Sequence, residues 1–353
     1  MTTVVVAGAT GTVGGRLLRR LAADPDVDRV VAVGRTGPAQ LPPGVEFVRA
    51  DLRDAVLGRL LHGADAVVNV EFADDLTHDD RVRLVVRVQG TRRLLEAVRI
   101  AGVPAMVHVS PALVYGADEG NEVPLSESQP LRTDPRFIAV HHAVLADEAV
   151  RAFAGDHPAC RVVVLRAVPA VVSDVDSAVT RHLESPLLPQ VHGFDPPVQF
   201  IDVDDLVEAV RLVALDQRAR GIYNVAADGW LTSSDVRRIL ARPAVRLPQE
   251  VAVSAATALY RLHLLAVPPQ ALRYLMHPWV VDTTRLRALG WTPSASQRDI
   301  LHRFVTEHRR WLSVGRLRVR TTRLVAALGA AWVLIASATA WLAARWWRTR
   351  RAV

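Results

Sequence analysis

Residues 4–18 read VVVAGATGTVGGRLL, and the fold of the whole chain turns on them. The β-branched run Val4, Val5, Val6 predicts a fully buried strand. It passes directly into Gly8, Gly11 and Gly14, spaced G-x-x-G-x-x-G, after which Val13, Leu17, Leu18 and Leu21 recur on one helical face. A pyrophosphate can rest on backbone N–H groups at a helix N-terminus only where no Cβ intervenes. The strand, glycine turn and helix start therefore predict a bound dinucleotide, with Gly8, Thr10, Gly11, Thr12, Val13 and Gly14 as its contacts.

Outward from this turn, residues 29–33 form a second predicted strand that ends at Gly34-Arg35. An acid near this point would bond a ribose 2′-OH and select NAD, whereas an arginine receives a 2′-phosphate. Arg35 and the lack of an acid favour NADP, with NAD as the alternative. Further strands are predicted over 45–48, 64–70 and 105–109, with a helix over 83–100. The fourth strand leads to Asn69 and Glu71, and the fifth runs into Ser110-Pro111. Strands alternating with helices predict an α/β fold, a Rossmann-type doubly wound parallel sheet that binds ligand at the carboxyl ends of its strands.

Composition narrows the function. The single Cys160 excludes a disulfide framework and a cysteine-rich metal site. Met1 leads straight into the first strand, so no signal peptide is expected. The net charge of +7 is misleading, because ten arginines and no acid lie from Arg309 onward, leaving residues 1–308 at −3. Nucleic acid is discounted as a partner on that ground. The 353 residues include no lysine, which excludes any mechanism that needs an amine side chain.

The chain resembles the extended short-chain dehydrogenase/reductases of the NAD-dependent epimerase/dehydratase family, the nucleotide-sugar epimerase-like group, and its actinobacterial members in particular. The resemblance rests on the glycine turn, Asp51-Leu52, GTRRLLEA at 90–97, Val114-Tyr115-Gly116 and Leu165-Arg166. QFIDVDDL at 199–206, GIYNVA at 221–226, DTTRL at 282–286 and LGWTP at 289–293 complete it. It covers roughly residues 3–308 and implies that Asp51, Leu52 and Asn69 also contact the cofactor. It also implies a serine or threonine four residues before the tyrosine of the V-Y-G motif, and a Tyr-x-x-x-Lys pair on the next helix whose lysine tunes the tyrosine as acid/base.

Here the chain departs from the family. Four residues before Tyr115 stands Pro111, with Ser110 one residue off, and Ala139 and Ala143 occupy the places of the tyrosine and lysine. Arg87 stands where the family carries an asparagine. Ser110, Glu71 and His142 are the candidate replacements, with His141 beside the last. His62, His78 and His108 show no ligand spacing, and Asp202, Asp204 and Asp205 read as a helix N-cap cluster, so no metal is expected.

Residues 1–170 are thus expected to form the dinucleotide domain and the proline-punctuated residues 171–310 a smaller substrate subdomain, with Arg166, His192 and Arg273 as candidate contacts. Residues 324–344 are 21 residues without a charge. As a helix they span about 31 Å, enough to cross a bilayer. A basic juxtamembrane linker at 311–323 precedes them and a basic tail at 345–353 follows. The expectation is a single-pass membrane protein with a cytoplasmic globular domain, possible homodimerisation, and an unknown small-molecule substrate, a nucleotide sugar or a lipid-linked envelope precursor. The competing expectation is a dinucleotide-binding sensor or scaffold without catalysis.

Overall fold

The computed structural model describes residues 1–37, 40–50, 57–71, 81–171, 177–265, 267–308, 311–314 and 317–320. Asp51 and Leu52, the apolar stretch 324–344 and the tail beyond it lie outside the described residues.

Seven strands make one sheet: β1 Thr3–Ala7, β2 Arg29–Gly34, β3 Val45–Arg49, β4 Ala66–Asn69, β5 Ala105–Pro111, β6 Arg161–Ala167 and β7 Gly221–Val225. Their order is β7-β6-β5-β4-β1-β2-β3, and every neighbouring pair is parallel. Strands covered on both faces carry unbroken apolar runs, not alternation. All residues of β1, β4, β5 and β6 are accordingly buried.

The helices Thr12–Ala22 (α1), Leu57–Leu60 (α2), Arg81–Ala101 (α3), Ile138–Asp156 (α4), Ala178–Glu184 (α5) and Val203–Leu215 (α6) divide between the two faces. Val13, Leu17 and Leu21 of α1 share one apolar core with Leu206 and Val210 of α6. Leu94 and Val98 of α3 share the other with Val150 and Phe153 of α4. Asp202 caps α6, its carboxylate accepting from Asp204 N–H at 2.8 Å. At the far end of α6, the buried Arg161 donates to the carbonyls of Val213 and Ala214, both at 2.7 Å, where a cation suits the negative pole of a helix.

Two strand ends differ from expectation. The fourth strand begins at Ala66, and the fifth continues through Ser110 and Pro111, which pair with Arg166 and Ala167 of β6. The domain boundary at residue 170 does not follow the sheet either, because α6 and β7 lie beyond it. The chain leaves the sheet after β6, builds α5, returns for α6 and β7, then leaves again for Ser233–Leu240 (α7), Gln249–Arg261 (α8), the 3-10 segment Pro269–Leu275, Thr284–Arg287 (α9) and Gln297–His308 (α10). The start of the expected linker is an antiparallel hairpin of Trp311–Val314 and Leu317–Arg320.

His108, in the middle of β5, is fully buried, and burial lowers its pKa from 6.5 to about 4. The folded protein therefore keeps this imidazole neutral where the unfolded chain protonates it. The resulting stability is fully present above about pH 6.5 and is lost as pH falls toward 4, about 3 kcal/mol in all. Urea midpoints should drop through that window, and His108→Leu should flatten the drop. An unchanged slope in the variant would contradict this account.

Candidate functional site

Strand order reverses between β1 and β4, and this switch point opens a crevice at their carboxyl ends. Gly8 follows β1 with φ +85°, a conformation that glycine adopts without strain. A Cβ on Gly8 would lie 2.8 Å from Glu71 N and 3.0 Å from the Val70 carbonyl carbon, so the turn is pressed against the end of β4. A Cβ on Gly14 would lie 2.2 Å from Gly8 O, so α1 is pressed against the turn in the same way. Gly11 caps α1 in an extended conformation without a side-chain bond, and no acid stands in the first turn. A helix N-terminus with its positive pole at the turn makes this a site for an anion.

The expected cofactor residues distribute around this crevice unequally. Thr10 is exposed, Gly11 and Thr12 are half-buried, and the Val13 side chain is wholly in the core, which leaves only the Val13 backbone to face a ligand. Asn69 is buried; its Nδ2 donates to Thr91 Oγ1 at 3.2 Å and its Oδ1 accepts from Glu71 N–H at 3.1 Å. It therefore fixes the loop that carries Glu71. Arg35 is exposed at the end of β2 and makes no ion pair among the described residues.

Beyond β5 and β6 lies an open cavity of about 370 Å³, lined by Ser110, Pro111 and Val168 from the sheet side and by α5, α7, α8 and the 3-10 segment Pro269–Leu275. Ser110 is completely buried and its Oγ has no hydrogen-bond partner among the described residues. Glu71 and His142 do not line this cavity, so of the three candidate catalytic residues only Ser110 reaches it. Among the described residues no group of three His, Cys, Asp or Glu could hold a metal.

A model of the NAD dependent epimerase/dehydratase family matches residues 4–226, from β1 through the end of β7. The chain belongs to that family. An uncharacterized protein of Mycobacterium tuberculosis is 29% identical over 301 residues, 82% of this chain and 80% of the relative. A dTDP-glucose 4,6-dehydratase of Streptomyces antibioticus is 36% identical over 154 residues, 38% of this chain and 44% of the relative. Among solved structures, the dTDP-glucose 4,6-dehydratase of Streptomyces venezuelae with NAD bound superposes with a TM-score of 0.64 at 25% identity, covering 87% of this chain and 97% of that one. The UDP-glucose 4-epimerase of Thermotoga maritima shares the fold, with a TM-score of 0.65 at 18% identity over 87% of this chain and 99% of its own.

Ala139 and Ala143, expected at the family's tyrosine and lysine positions, lie on the buried face of α4. Ala139 packs with Phe137 and Val140, and Ala143 with Val114 and Ala146, at 5% and 0% exposure. Tyr115 of the V-Y-G motif is no substitute, since its hydroxyl donates to Asn224 Oδ1 at 2.7 Å and burial raises its pKa. The rings of His141 and His142 stand 6.0 Å apart, and neither lines the cavity.

None of the three expected substrate contacts lines the cavity. Arg166 is 1% exposed and holds both carboxylate oxygens of Asp147 at 2.9 Å. Arg273 is surface-paired with Asp118 at 2.8 Å, and His192 is exposed away from the cavity. Conversely, His182 and Arg237 line the cavity and carried no signal in the sequence. Each stands alone on a short helix, and only the three-dimensional fold brings them to Ser110's cavity.

Proposed function

We propose that this protein is a membrane-anchored, NAD(P)-binding member of the epimerase/dehydratase family that acts on a small molecule without the family's Tyr-x-x-x-Lys pair. The observation that carries this reading is the open cavity lined by Ser110 in a chain whose Gly8 and Gly14, at the dinucleotide crevice, leave no room for a Cβ. The dinucleotide, when bound, supplies hydride transfer. Gly8, Gly11 and Gly14 admit its phosphates, and Asn69 holds the β4 loop against them. Ser110 offers its hydroxyl to a substrate hydroxyl or carbonyl, and Glu71, whose backbone meets Gly8 at the end of β4, is the candidate acid/base at the turn. The Streptomyces venezuelae dehydratase holds NAD; for this chain the exposed Arg35 and the lack of an acid beside it favour NADP. The proposed anchor is residues 324–344, whose 21 residues without a charge would span a bilayer core as a helix.

The test is calorimetric titration of NADPH, NADP, NADH and NAD into the detergent-solubilised full chain. NADPH should bind more tightly than NADH, and Arg35→Asp should reverse the order by weakening NADPH about tenfold, the worth of one charge-assisted contact. Equal affinities in the wild type would remove Arg35 from the site. A second reading, a sensor that binds dinucleotide without turnover, is favoured by the packed Ala139 and Ala143. Substrate-dependent turnover that disappears in Ser110→Ala or Glu71→Gln would exclude it.

A further inference from the structure

The cavity's lining is chemically one-sided. Apolar side chains such as Val109, Leu183, Val236, Ala256, Leu272 and Trp279 make most of its wall. Its polar groups are largely committed elsewhere: Gln190 accepts from Arg246 Nε at 3.2 Å, Ser233 donates to Pro196 O at 3.4 Å, and Tyr274 donates to Leu113 O at 2.8 Å. Burial lowers His182 to about 4, so its ring is neutral at physiological pH. Two of the lining residues carry a buried polar atom without a partner among the described residues, Ser110 at Oγ and Arg237 at Nε. A nucleotide sugar would bring a diphosphate and a ring of hydroxyls into this space, and buried charges and hydroxyls need partners. One guanidinium and one hydroxyl do not provide them.

The outside of the same wall is apolar as well. Ala252 and Ala256 of α8 are buried, while Val251, Val253 and Leu259 of that helix and Leu262 and Leu264 just after it are 39–67% exposed. Val251, Leu259 and Leu262 fall within about 80° of one another around the helix axis, and exposed apolar side chains grouped in this way suit a surface that meets a partner. The hairpin strand Trp311–Val314 runs alongside α5, another wall of the cavity. Arg320, which ends the second strand of that hairpin, precedes the uncharged residues 324–344 by four positions in the chain. Arginines dominate the charge between 309 and 323, as suits a surface of anionic headgroups.

We propose that the cavity takes a membrane-derived amphiphile, one apolar body with a single acidic group for Arg237, which enters from the bilayer past the exposed face of α8. This rests on the oxidoreductase reading above and names its substrate class. Scaled from benzene filling about 150 Å³, the cavity suits an apolar body of roughly fifteen carbons.

The experiment is fluorescence titration of cis-parinaric acid, a long-chain acid, into the full chain held in amphipol, with NADPH calorimetry on the same samples. Saturable one-to-one uptake is expected, undisturbed by UDP-glucose. Arg237→Gln should weaken it about tenfold, and Ala256→Trp should abolish it while the melting temperature shows the protein still folded. If Ala256→Trp does not fold, Arg237→Gln alone decides. Unsaturable partitioning that is identical in wild type and variants, or displacement by UDP-glucose, overturns the proposal. NADPH binding without parinarate uptake sinks only the lipid cavity, and uptake without NADPH binding sinks only the oxidoreductase reading.

Discussion

Asp147→Ala is expected to cost about 3–5 kcal/mol of folding stability, the usual penalty for stranding one member of a buried ion pair. Asp147 is 0% exposed and Arg166 1%. Their two 2.9 Å bonds join α4 to β6, with the guanidinium also lying over the Tyr115 ring at 4.8 Å. Removing the carboxylate leaves that guanidinium charged and without an anion in the core; Arg151, which approaches Asp147 at 3.1 Å, loses a partner too but can turn to water. Urea denaturation of the full chain measures the loss. The double variant Asp147→Leu with Arg166→Met should recover most of it, because apolar replacement of both partners removes the desolvation penalty along with the attraction. A single variant within about 1 kcal/mol of wild type would show that the pair contributes little.

Gly14→Ala should weaken dinucleotide binding severely, while Gly15→Ala should leave it intact. The two residues are adjacent in α1, and the contrast between them isolates the turn. A Cβ at Gly14 would meet Gly8 O at 2.2 Å and Ala9 Cα at 2.8 Å, whereas one at Gly15 meets only Ala9 O at 3.9 Å. Backbone cannot yield as a flexible side chain can, so Gly14→Ala must push α1 off the turn. That costs about 1–3 kcal/mol of stability and about a hundredfold in NADPH affinity, the value of two charge-assisted contacts. Gly15→Ala should instead stabilise the helix by about 0.5–1 kcal/mol. Equal affinities for the two variants would mean that the glycine turn does not hold the phosphates.

The sheet was legible because buried parallel strands write themselves as apolar runs, as at Val4 to Val6 and across β5. Its ends were less so. Ser110 and Pro111 look like loop residues, yet pairing with β6 keeps them in the strand after β4 has stopped opposite His108. The crevice was readable for a local reason: every residue of the glycine turn lies within one short segment. The cavity was not, since its wall combines Ser110, His182, Arg237 and Ala256, which are far apart in the chain and individually ordinary. Arg166 misled for the converse reason. Its partner Asp147 lies 19 residues away on a different element, so nothing near it in the sequence marks it as already neutralised.

The chain's double departure from the sheet, once between β6 and α6 and again after β7, constrains how such a protein can change over generations. No single breakpoint separates the cavity from the dinucleotide half: a crossover near residue 170 would carry α6 and β7 away with the incoming partner, and one after residue 226 would leave α5 behind. Exchange of substrate preference by recombination therefore needs two coordinated breaks, whereas one codon at position 237 or 256 alters the lining directly. In a protein built this way, new specificities should arise one side chain at a time.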